Sequence, residues 1–194
     1  MRVPLSAEAV IADAAALADE AGFESVSLSA VARRLGVQAP SLYSHVRDLE
    51  AVRDGITALA LGELADLVAA GIAGRAGLPA LQAYSAAHRT FARRWPGRWQ
   101  SLQRRAGEAV VRSAAARAVS AQAGAVLRGY PVPQEEHVHA VRLLGSTING
   151  FLALERTGNF DHSSPAPEVS WDRTVVALDA LLRAWPENSR GDEA

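Results

Sequence analysis

The sequence predicts an all-α protein, built from a small N-terminal three-helix domain and a larger helical domain. Apolar residues recur at helical spacing along almost the whole chain, and no segment shows the alternation of a β-strand. Glycine and proline separate the apolar stretches, as they do between helices. Hydrophobic residues make up 49% of the 194 residues, which is enough to bury a sizeable core.

Short polar and glycine residues mark the ends of the first two helices. Ser6 and Ser27 each precede an apolar helical pattern and are suited to cap a helix start. Gly22 and Gly36 follow those patterns and are suited to end them, Gly36 with a sharp left-handed turn. A third short helix is predicted over residues 39–46.

Six further helices are predicted after these three. Their approximate ranges are 48–73, 78–95, 98–105, 108–128, 133–156 and a last helix capped by Ser170, with a loop at 158–169. We therefore place the first domain at residues 1–47 and the second at 48–186, and we expect residues 187–194 to be a disordered tail.

Composition excludes several classes of protein and site. The chain has no cysteine, so disulfides and thiolate zinc sites are excluded, and all 20 basic residues are arginine. A formal net charge of −1 gives no global sign of nucleic-acid binding. Neither a secretory signal nor an apolar stretch long enough to cross a bilayer is expected, which favours a soluble cytoplasmic protein without membrane partners.

Local charge is more informative than global charge. Residues 1–60 contain five arginines and eight acidic residues, which is unfavourable for a DNA-binding protein. Between Ser25 and Arg47, however, there are three arginines and no acid. One face of the N-terminal domain is therefore expected to lack negative charge.

The third helix has the composition of a helix that reads bases in the major groove. Leu42 and Val46 are one turn apart and are expected to point inward. The positions left to face outward are Gln38, Ala39, Pro40, Ser41, Tyr43 and Ser44. Small residues allow close approach to base edges, and amide and hydroxyl groups can hydrogen-bond to them. The alternative is a helical corner with a solvated polar edge.

The segment GFESVSLSAVARRLGVQAPSLYSHVRDLEAV resembles the N-terminal helix-turn-helix domain of the TetR/AcrR family of transcriptional regulators, over about residues 5–60. The resemblance implies base contacts from Gln38, Ala39, Pro40 and Ser41. It also implies phosphate contacts from Ser27, Tyr43 and His45. Many members have a lysine where this chain has Leu49, so that phosphate contact is expected to be lost or taken over by Arg47.

The second domain resembles the ligand-sensing and dimerising domain of that family. TINGFLALERTGNF, residues 147–160, is similar to one C-terminal subfamily, with Asn149 in place of the usual histidine. Family members pair their last two long helices across a homodimer. The residues expected at that interface are Gly145, Ile148, Leu152, Val175, Leu178 and Leu182. Alternatively, these residues pack only within one subunit.

Aromatic and polar residues near the fifth helix are candidates for a small-molecule site. The candidate pocket residues are Tyr84, His88, Phe91, Trp95, Trp99, Arg104 and Asn149. Residues 89–117 contain eight arginines and one acid, and most of these arginines are expected to be solvated or paired. Arg104 or Arg105 is the candidate for binding an anionic ligand. An ordinary core role for the aromatic residues is an equal alternative.

Enzymatic readings have little support in the sequence. Glu135 and His139 lie four residues apart and could share a cation, but no second cluster joins them. No nucleophile elbow, phosphate loop or dinucleotide motif is present. We therefore expect no cofactor and no catalytic or metal site; a metal-dependent helical enzyme is a remote alternative, and a DNA-packaging protein is another.

The sequence thus predicts a homodimeric transcriptional regulator that binds double-stranded operator DNA. A repressor released by a small-molecule effector is the favoured form. A ligand-independent or activating regulator is the alternative.

Overall fold

The computed structural model describes residues 5–186, and these residues are all-α with no β-strand. The α-helices are α1 (Ala7–Ala21), α2 (Leu28–Leu35), α3 (Leu49–Ile72), α4 (Gly77–Arg94), α5 (Pro96–Ser101), α6 (Glu108–Val111), α7 (Ala114–Leu127), α8 (His137–Arg156) and α9 (Pro167–Arg183). Three 3-10 helices cover Phe23–Ser25, Ala39–Ser44 and Gln134–Glu136. The predicted tail at 187–194 lies outside the described residues.

The chain divides into two compact units that do not follow the predicted boundary at residue 47. The first unit runs to Leu67 and includes Arg89–Ser120. The second contains Val68–His88 and the chain from Ala121 onward. The N-terminal helices therefore share a compact unit with α5 and α6, which the sequence assigned to the second domain.

The helix ends of the N-terminal region are as predicted. The Ser6 hydroxyl accepts a hydrogen bond from Ala9 N–H at 3.2 Å, and the Ser27 hydroxyl accepts one from Ala30 N–H at 3.2 Å. Gly36 ends α2 with φ of 67°, a left-handed conformation that a residue with a Cβ adopts only at a cost. Local chemistry thus fixes the turn between α2 and the next helix.

The third helix is shorter than predicted and has a different hydrogen-bond pattern. It covers Ala39–Ser44 as a 3-10 helix, with Ser41 N–H donating to the Gln38 carbonyl at 2.9 Å. Leu42 is fully buried and Val46 is 7% exposed, so both point inward as predicted. They pack in one apolar cluster with residues of α1, α2 and α3.

Helix α5 lies directly against α1 in the first unit. A Cβ built on Gly97 would overlap the Ala18 carbonyl group, so only glycine permits this approach. Arg98 N–H donates to Asp19 Oδ1 at 2.9 Å, and the Gln100 side chain accepts a hydrogen bond from Phe23 N–H at 3.0 Å. A backbone N–H and a side chain of α5 therefore hydrogen-bond to the last turn of α1 and to the residue that follows its capping glycine.

Helix α3 is long and apolar enough to cross a membrane by length and composition, contrary to the sequence expectation. Its contacts are nevertheless those of a core helix. Val52, Ile56 and Ala60 are fully buried at four-residue spacing. Glu63, farther along α3, forms an ion pair with Arg98 at 2.8 Å.

In the second unit, α8 and α9 contribute the apolar core. A polar cluster lies beside that core: Tyr130 O–H donates to Asp179 Oδ1 at 2.7 Å, and Arg183 Nε donates to Asp179 Oδ2 at 2.8 Å. These two hydrogen bonds, with Arg183 as the larger contribution, hold the pKa of Asp179 below its usual value. The buried carboxylate therefore stays charged and fully partnered.

Other predicted helix boundaries are also wrong. The short helix expected over 98–105 is α5, Pro96–Ser101. The helix expected over 108–128 is interrupted, because the Ser113 hydroxyl accepts a hydrogen bond from Ala116 N–H and caps a new helix, α7. Ser170 does not cap the last helix, which begins three residues earlier at Pro167. Proline is favoured in a first helical turn because its missing N–H has no partner there.

The close contact between α5 and α1 generates a stability prediction. We expect Gly97→Ala to destabilise the protein by about 2 kcal/mol or more, because the added methyl group forces the two backbones apart. Gly62→Ala in α3 is the matched control, since a Cβ there meets nothing within 4 Å. That control should gain roughly 0.5–1 kcal/mol from helix propensity. Urea unfolding measures the free energy of unfolding of both variants. Equal values for the two variants would contradict the close packing of α5 on α1.

Candidate functional site

The outer face of the 39–44 helix is polar and accessible. Tyr43 is 59% exposed, whereas the adjacent Leu42 is fully buried. Gln38, Pro40 and Ser41 are also exposed. The short helix thus presents an amide, a hydroxyl and a phenol on one side and anchors itself through the other.

Two residues expected on this face are less available than the sequence suggested. Ala39 is half-buried and packs against the apolar cluster beneath it. Ser44 is exposed, but its hydroxyl donates to the Ser41 carbonyl at 2.8 Å. Ala39 therefore offers only part of its methyl group, and Ser44 must give up a local hydrogen bond to donate elsewhere.

Ser27 keeps a free donor at the start of α2. Its oxygen accepts the Ala30 N–H, and this use as an acceptor leaves the hydroxyl hydrogen available. The first N–H groups of α2 have no intrahelical partner and carry the positive end of the helix dipole. This end of α2 is therefore suited to bind a phosphate oxygen.

The three arginines of segment 25–47 differ in their surroundings. Arg34 forms ion pairs with Asp13 and Glu20 of α1, and its hydrogen bond lowers the pKa of Glu20. Arg33 is exposed, and no hydrogen bond or ion pair of its side chain is formed within residues 5–186. Arg34 therefore joins α2 to α1, and Arg33 is free to act elsewhere.

Arg47 is exposed beside the start of α3. Its Nε donates to Asp48 Oδ2 at 2.8 Å, and the same carboxylate caps α3 by accepting from Ala51 N–H at 2.7 Å. The remaining N–H groups of its guanidinium are still available for a phosphate. Leu49, which takes the place of the lysine of other members, packs against the apolar cluster.

Among the predicted pocket residues, Tyr84 and His88 lie together in the second unit. Their ring centroids are 4.4 Å apart, and both side chains are buried. His88 Nδ1 lies 2.9 Å from the Tyr84 carbonyl, an acceptor, so Nδ1 carries the hydrogen and Nε2 has a free lone pair. Burial lowers the pKa of His88 and raises the pKa of Tyr84 to about 12, so both are neutral at pH 7.

Ser85 joins this pair and was missed from the sequence. It is fully buried, and its hydroxyl has no hydrogen-bond partner within residues 5–186. A buried hydroxyl without a partner is costly, and such groups are expected to acquire one from water or a ligand. The position of Ser85 next to Tyr84 on a buried helical face is the signal that could have identified it.

Of the other predicted pocket residues, Asn149 lies in the same unit as this group, and the remaining four lie in the first unit. Phe91 and Trp95 pack together in the first unit, with ring centroids 5.3 Å apart, and Trp99 is buried there in α5. Arg104 forms ion pairs with Glu50 and Asp54 of α3, as expected for most arginines of residues 89–117, rather than being free for an anionic ligand. Asn149 Nδ2 donates to the carbonyl of Gly145 at 2.9 Å along α8.

The predicted interface residues are largely buried within a single chain. Gly145 is half-buried, and the others are 5% exposed or less: Ile148, Leu152, Val175, Leu178 and Leu182. These five have almost no surface to offer a second copy, and their burial favours packing within one subunit, the alternative that the sequence left open.

Glu135 and His139 are both exposed. Across residues 5–186, no group of three or more His, Asp or Glu side chains is arranged to hold a metal ion.

The geometry is that of a helix-turn-helix DNA-binding protein, with a capped helix, a left-handed glycine turn and a second helix whose polar face is exposed. Comparison with known families agrees. Residues 10–51 match the bacterial regulatory proteins of the tetR family, and residues 81–178 match the tetracyclin repressor-like C-terminal domain. The chain belongs to the TetR family of transcriptional regulators, whose members are regulators rather than enzymes.

Individual relatives extend over most of the chain. An uncharacterized HTH-type transcriptional regulator, Rv0681 of Mycobacterium tuberculosis, is 32% identical over 181 residues, 92% of this chain and 79% of the relative. The TetR-Q116A structure from Acinetobacter baumannii in complex with minocycline has a TM-score of 0.68 at 21% identity, covering 92% of this chain and 97% of that one. The structure of ActR of Streptomyces coelicolor in complex with (S)-DNPA has a TM-score of 0.67 at 14% identity. The match covers 94% of this chain and 98% of the ActR chain.

The exposed face of the 39–44 helix predicts two distinguishable effects of mutation. Tyr43→Ala should weaken binding to all DNA sequences by about tenfold or more, because a hydrogen bond to a charged phosphate oxygen is lost. Gln38→Ala should instead change the preferred base at one position of each half-site. Fluorescence anisotropy with an operator and with single-base variants of it measures both.

Because Tyr43 is uncharged, its removal should leave the dependence of affinity on salt concentration unchanged. An operator affinity for Tyr43→Ala equal to that of the parent protein would show that this face does not dock on DNA as described.

The buried state of His88 predicts a pH effect on stability. Its pKa is lowered in the folded chain, so between that value and about 6.5 only the unfolded chain binds the proton. Acidification through this window should therefore favour unfolding, by at most about 1.4 kcal/mol per pH unit. Removing the imidazole in His88→Gln should reduce the stability lost between pH 7.5 and 5.5.

Urea unfolding across this range gives the comparison. His162→Gln, in the exposed loop before α9, is the control and should follow the parent curve. Parallel curves for the parent and His88→Gln would contradict the assignment of His88 as a buried neutral histidine.

Proposed function

We propose that this protein is a homodimeric repressor whose binding to a palindromic operator is relieved by a small molecule. TetR-family proteins bind operator DNA, form dimers and bind small-molecule ligands. The observation that carries the proposal for this chain is the pairing of an exposed, acid-free helix-turn-helix face with a separate compact unit that contains buried polar groups lacking partners.

In the proposed complex, the 39–44 helix enters the major groove. Gln38 and Ser41 contact base edges, and the exposed parts of Ala39 and Pro40 contact thymine methyl groups. Tyr43, His45 and the Ser27 end of α2 bind phosphates on either side. Ser44 and Arg47 add donors to the backbone, Arg47 through the guanidinium N–H groups that Asp48 does not use.

For the dimer, we infer an interface on the exposed face of α8 rather than on its buried face. Five exposed residues recur there at four-residue spacing: Val138, Arg142, Ser146, Gly150 and Leu154. Consecutive members are neighbours on the helix surface, and the row winds around α8 by about 40° per step. Val138 is 49% exposed and Leu154 is 46% exposed at the two ends. The small residues Ser146 and Gly150 lie between them and permit close approach of a second helix.

Helix α9 also carries large exposed apolar residues. Val169, Val176 and Leu181 are each about half exposed, at 47%, 49% and 53%. Large exposed apolar residues concentrated on one pair of helices mark a protein interface. A four-helix bundle of α8 and α9 with the same helices of a second subunit buries these exposed residues. The residues already buried on α8 and α9 then continue to pack within each subunit.

For the effector site, we propose the surroundings of Tyr84, Ser85 and His88 on α4. Together they offer a phenol donor, an unpartnered hydroxyl and the lone pair of His88 Nε2. This set suits a largely apolar ligand that carries hydrogen-bonding groups. The minocycline and (S)-DNPA complexes of the relatives named above support small-molecule binding as a use of this fold.

The proposed mechanism is a shift between two states of the dimer. Two recognition helices reach successive major grooves only when they are about 34–36 Å apart. An effector that binds more tightly to a state with another spacing lowers operator affinity. We place this activity in the cytoplasm, where the bacterial chromosome lies. A transcriptional activator is the alternative function, and the same DNA-binding face supports it.

The proposed interface is tested by Gly150→Arg. A charged side chain on the exposed face of α8 should shift the protein towards monomer and weaken operator binding by about tenfold or more, because a dimer binds two half-sites at once. Gly124→Arg in α7 is the matched control, since a Cβ at either glycine meets nothing within 4 Å. Analytical ultracentrifugation measures the mass; a dimer of normal stability for Gly150→Arg would contradict this interface.

The function as a whole is tested by selecting bound duplexes from random DNA at physiological salt. We expect a palindrome with half-sites about one helical turn apart. Binding without sequence enrichment would indicate a DNA-packaging role instead. The recovered operator then serves as the probe in a search for compounds that release it.

A further inference from the structure

A cavity in the second unit, distinct from the Tyr84, Ser85 and His88 group, combines an apolar lining with two arginines. Its volume is about 320 Å³, within the range of small-ligand pockets. Ile72, Ala80 and Val126 contribute apolar surface, and Arg75 and Arg128 contribute the charge. No carboxylate is among the described residues that line it.

A backbone contact holds the two arginines on the same cavity. A Cβ built on Gly129 would lie 2.5 Å from Gly77 N and 3.1 Å from Gly77 Cα, so the chain after α7 touches the start of α4. Arg75 precedes Gly77 by two residues, and Arg128 immediately precedes Gly129. The contact between Gly77 and Gly129 therefore sets the positions of the backbone atoms from which the side chains of Arg75 and Arg128 extend.

Neither guanidinium has a protein partner within the described part of the chain. The structure shows no hydrogen bond, ion pair or ring contact for the side chain of Arg75 or Arg128. This contrasts with the first unit, where Arg34, Arg98 and Arg104 each bind two carboxylates. Two like charges beside one apolar cavity repel each other, and an anion between them removes that repulsion.

We propose that this cavity binds a small organic anion, with its carboxylate between Arg75 and Arg128 and its apolar part against Ile72, Ala80 and Val126. The two guanidinium groups supply forked N–H donors that match a carboxylate. The apolar lining selects for a hydrocarbon or aromatic body over inorganic anions. This binding site does not depend on the proposed DNA-binding function, and its test uses no DNA.

The probe is 2-naphthoate, titrated into the full-length protein by isothermal titration calorimetry. Its neutral analogue 2-naphthalenemethanol and inorganic phosphate are titrated in parallel at the same ionic strength. We expect 2-naphthoate to bind with one site per chain and both comparison compounds to bind at least tenfold more weakly. Equal affinity for the alcohol or for phosphate would overturn the proposed ligand class.

Variants locate the site. Arg75→Gln and Arg128→Gln should each weaken 2-naphthoate binding by about tenfold or more, because each removes a charge-assisted hydrogen bond. Arg117→Gln, an exposed arginine of the first unit, is the matched control and should bind as the parent does. Both cavity arginines are exposed, so folding should be retained, as circular dichroism will show.

Ala125→Phe gives an independent test, because Ala125 lines the cavity and a phenyl ring there fills it while both arginines remain. This variant should also lose binding. Unchanged affinity in Arg75→Gln, Arg128→Gln and Ala125→Phe would show that 2-naphthoate binds elsewhere, and absence of binding to the parent protein would equally overturn the proposal.

Discussion

The close approach of α5 to α1 is the constraint on which the DNA-binding unit depends. Because Gly97 has no side chain, the two backbones touch, and Arg98 and Gln100 come within hydrogen-bonding distance of Asp19 and Phe23. The 39–44 helix is too short to be stable alone, since short 3-10 helices have poor hydrogen-bond geometry. Its orientation comes from Leu42 and Val46 in the shared apolar cluster. By fixing α1, which supplies one wall of that cluster, α5 helps to set the direction in which the recognition face points.

Ion pairing explains how a segment rich in acids can serve as a DNA-binding unit. Of the eight acidic residues before residue 61, seven have an arginine partner within residues 5–186: Asp13, Asp19, Glu20, Glu24, Asp48, Glu50 and Asp54. Apart from the mostly buried Asp19–Arg98 pair, these pairs are at least partly exposed and add little stability. Their effect is on the electrostatic potential, because each paired carboxylate no longer repels phosphate at full strength. The pairs use up arginines of the 89–117 stretch, which explains why Arg98 and Arg104 are not free for a ligand.

Local signals predicted the N-terminal fold well, whereas contacts between distant residues could not be read from the sequence. The caps at Ser6 and Ser27 and the turn at Gly36 depend on neighbours within a few residues, and all three were predicted. The inclusion of α5 in the first unit depends on residues nearly 80 positions apart, and nothing around Gly97 signals it. Ser113 shows the same limit at shorter range: its hydroxyl caps α7 inside a run of good helix formers, where composition favours continuity. The inward residues Leu42 and Val46 were predicted because one side of that helix is apolar and the other is polar.

Helices α8 and α9 lack that contrast, so apolar spacing alone does not decide which of their residues meet a second copy. Both helices carry large apolar residues on exposed surface as well as in their buried stripes, so the position of apolar residues in the sequence does not separate the two. The interface expected from the sequence lies on the stripe with the larger residues, Ile148 and Leu152. Large aliphatic side chains are the ones a single chain needs for its own core, however, because they fill the space between its helices. An interface between copies has to approach across exposed surface, and a stripe with large residues at its ends and Ser146 and Gly150 in the middle meets that requirement. Where a family is known to dimerise through helices that carry apolar residues on both buried and exposed surface, the exposed row with small central residues is therefore the better candidate for the contact between copies.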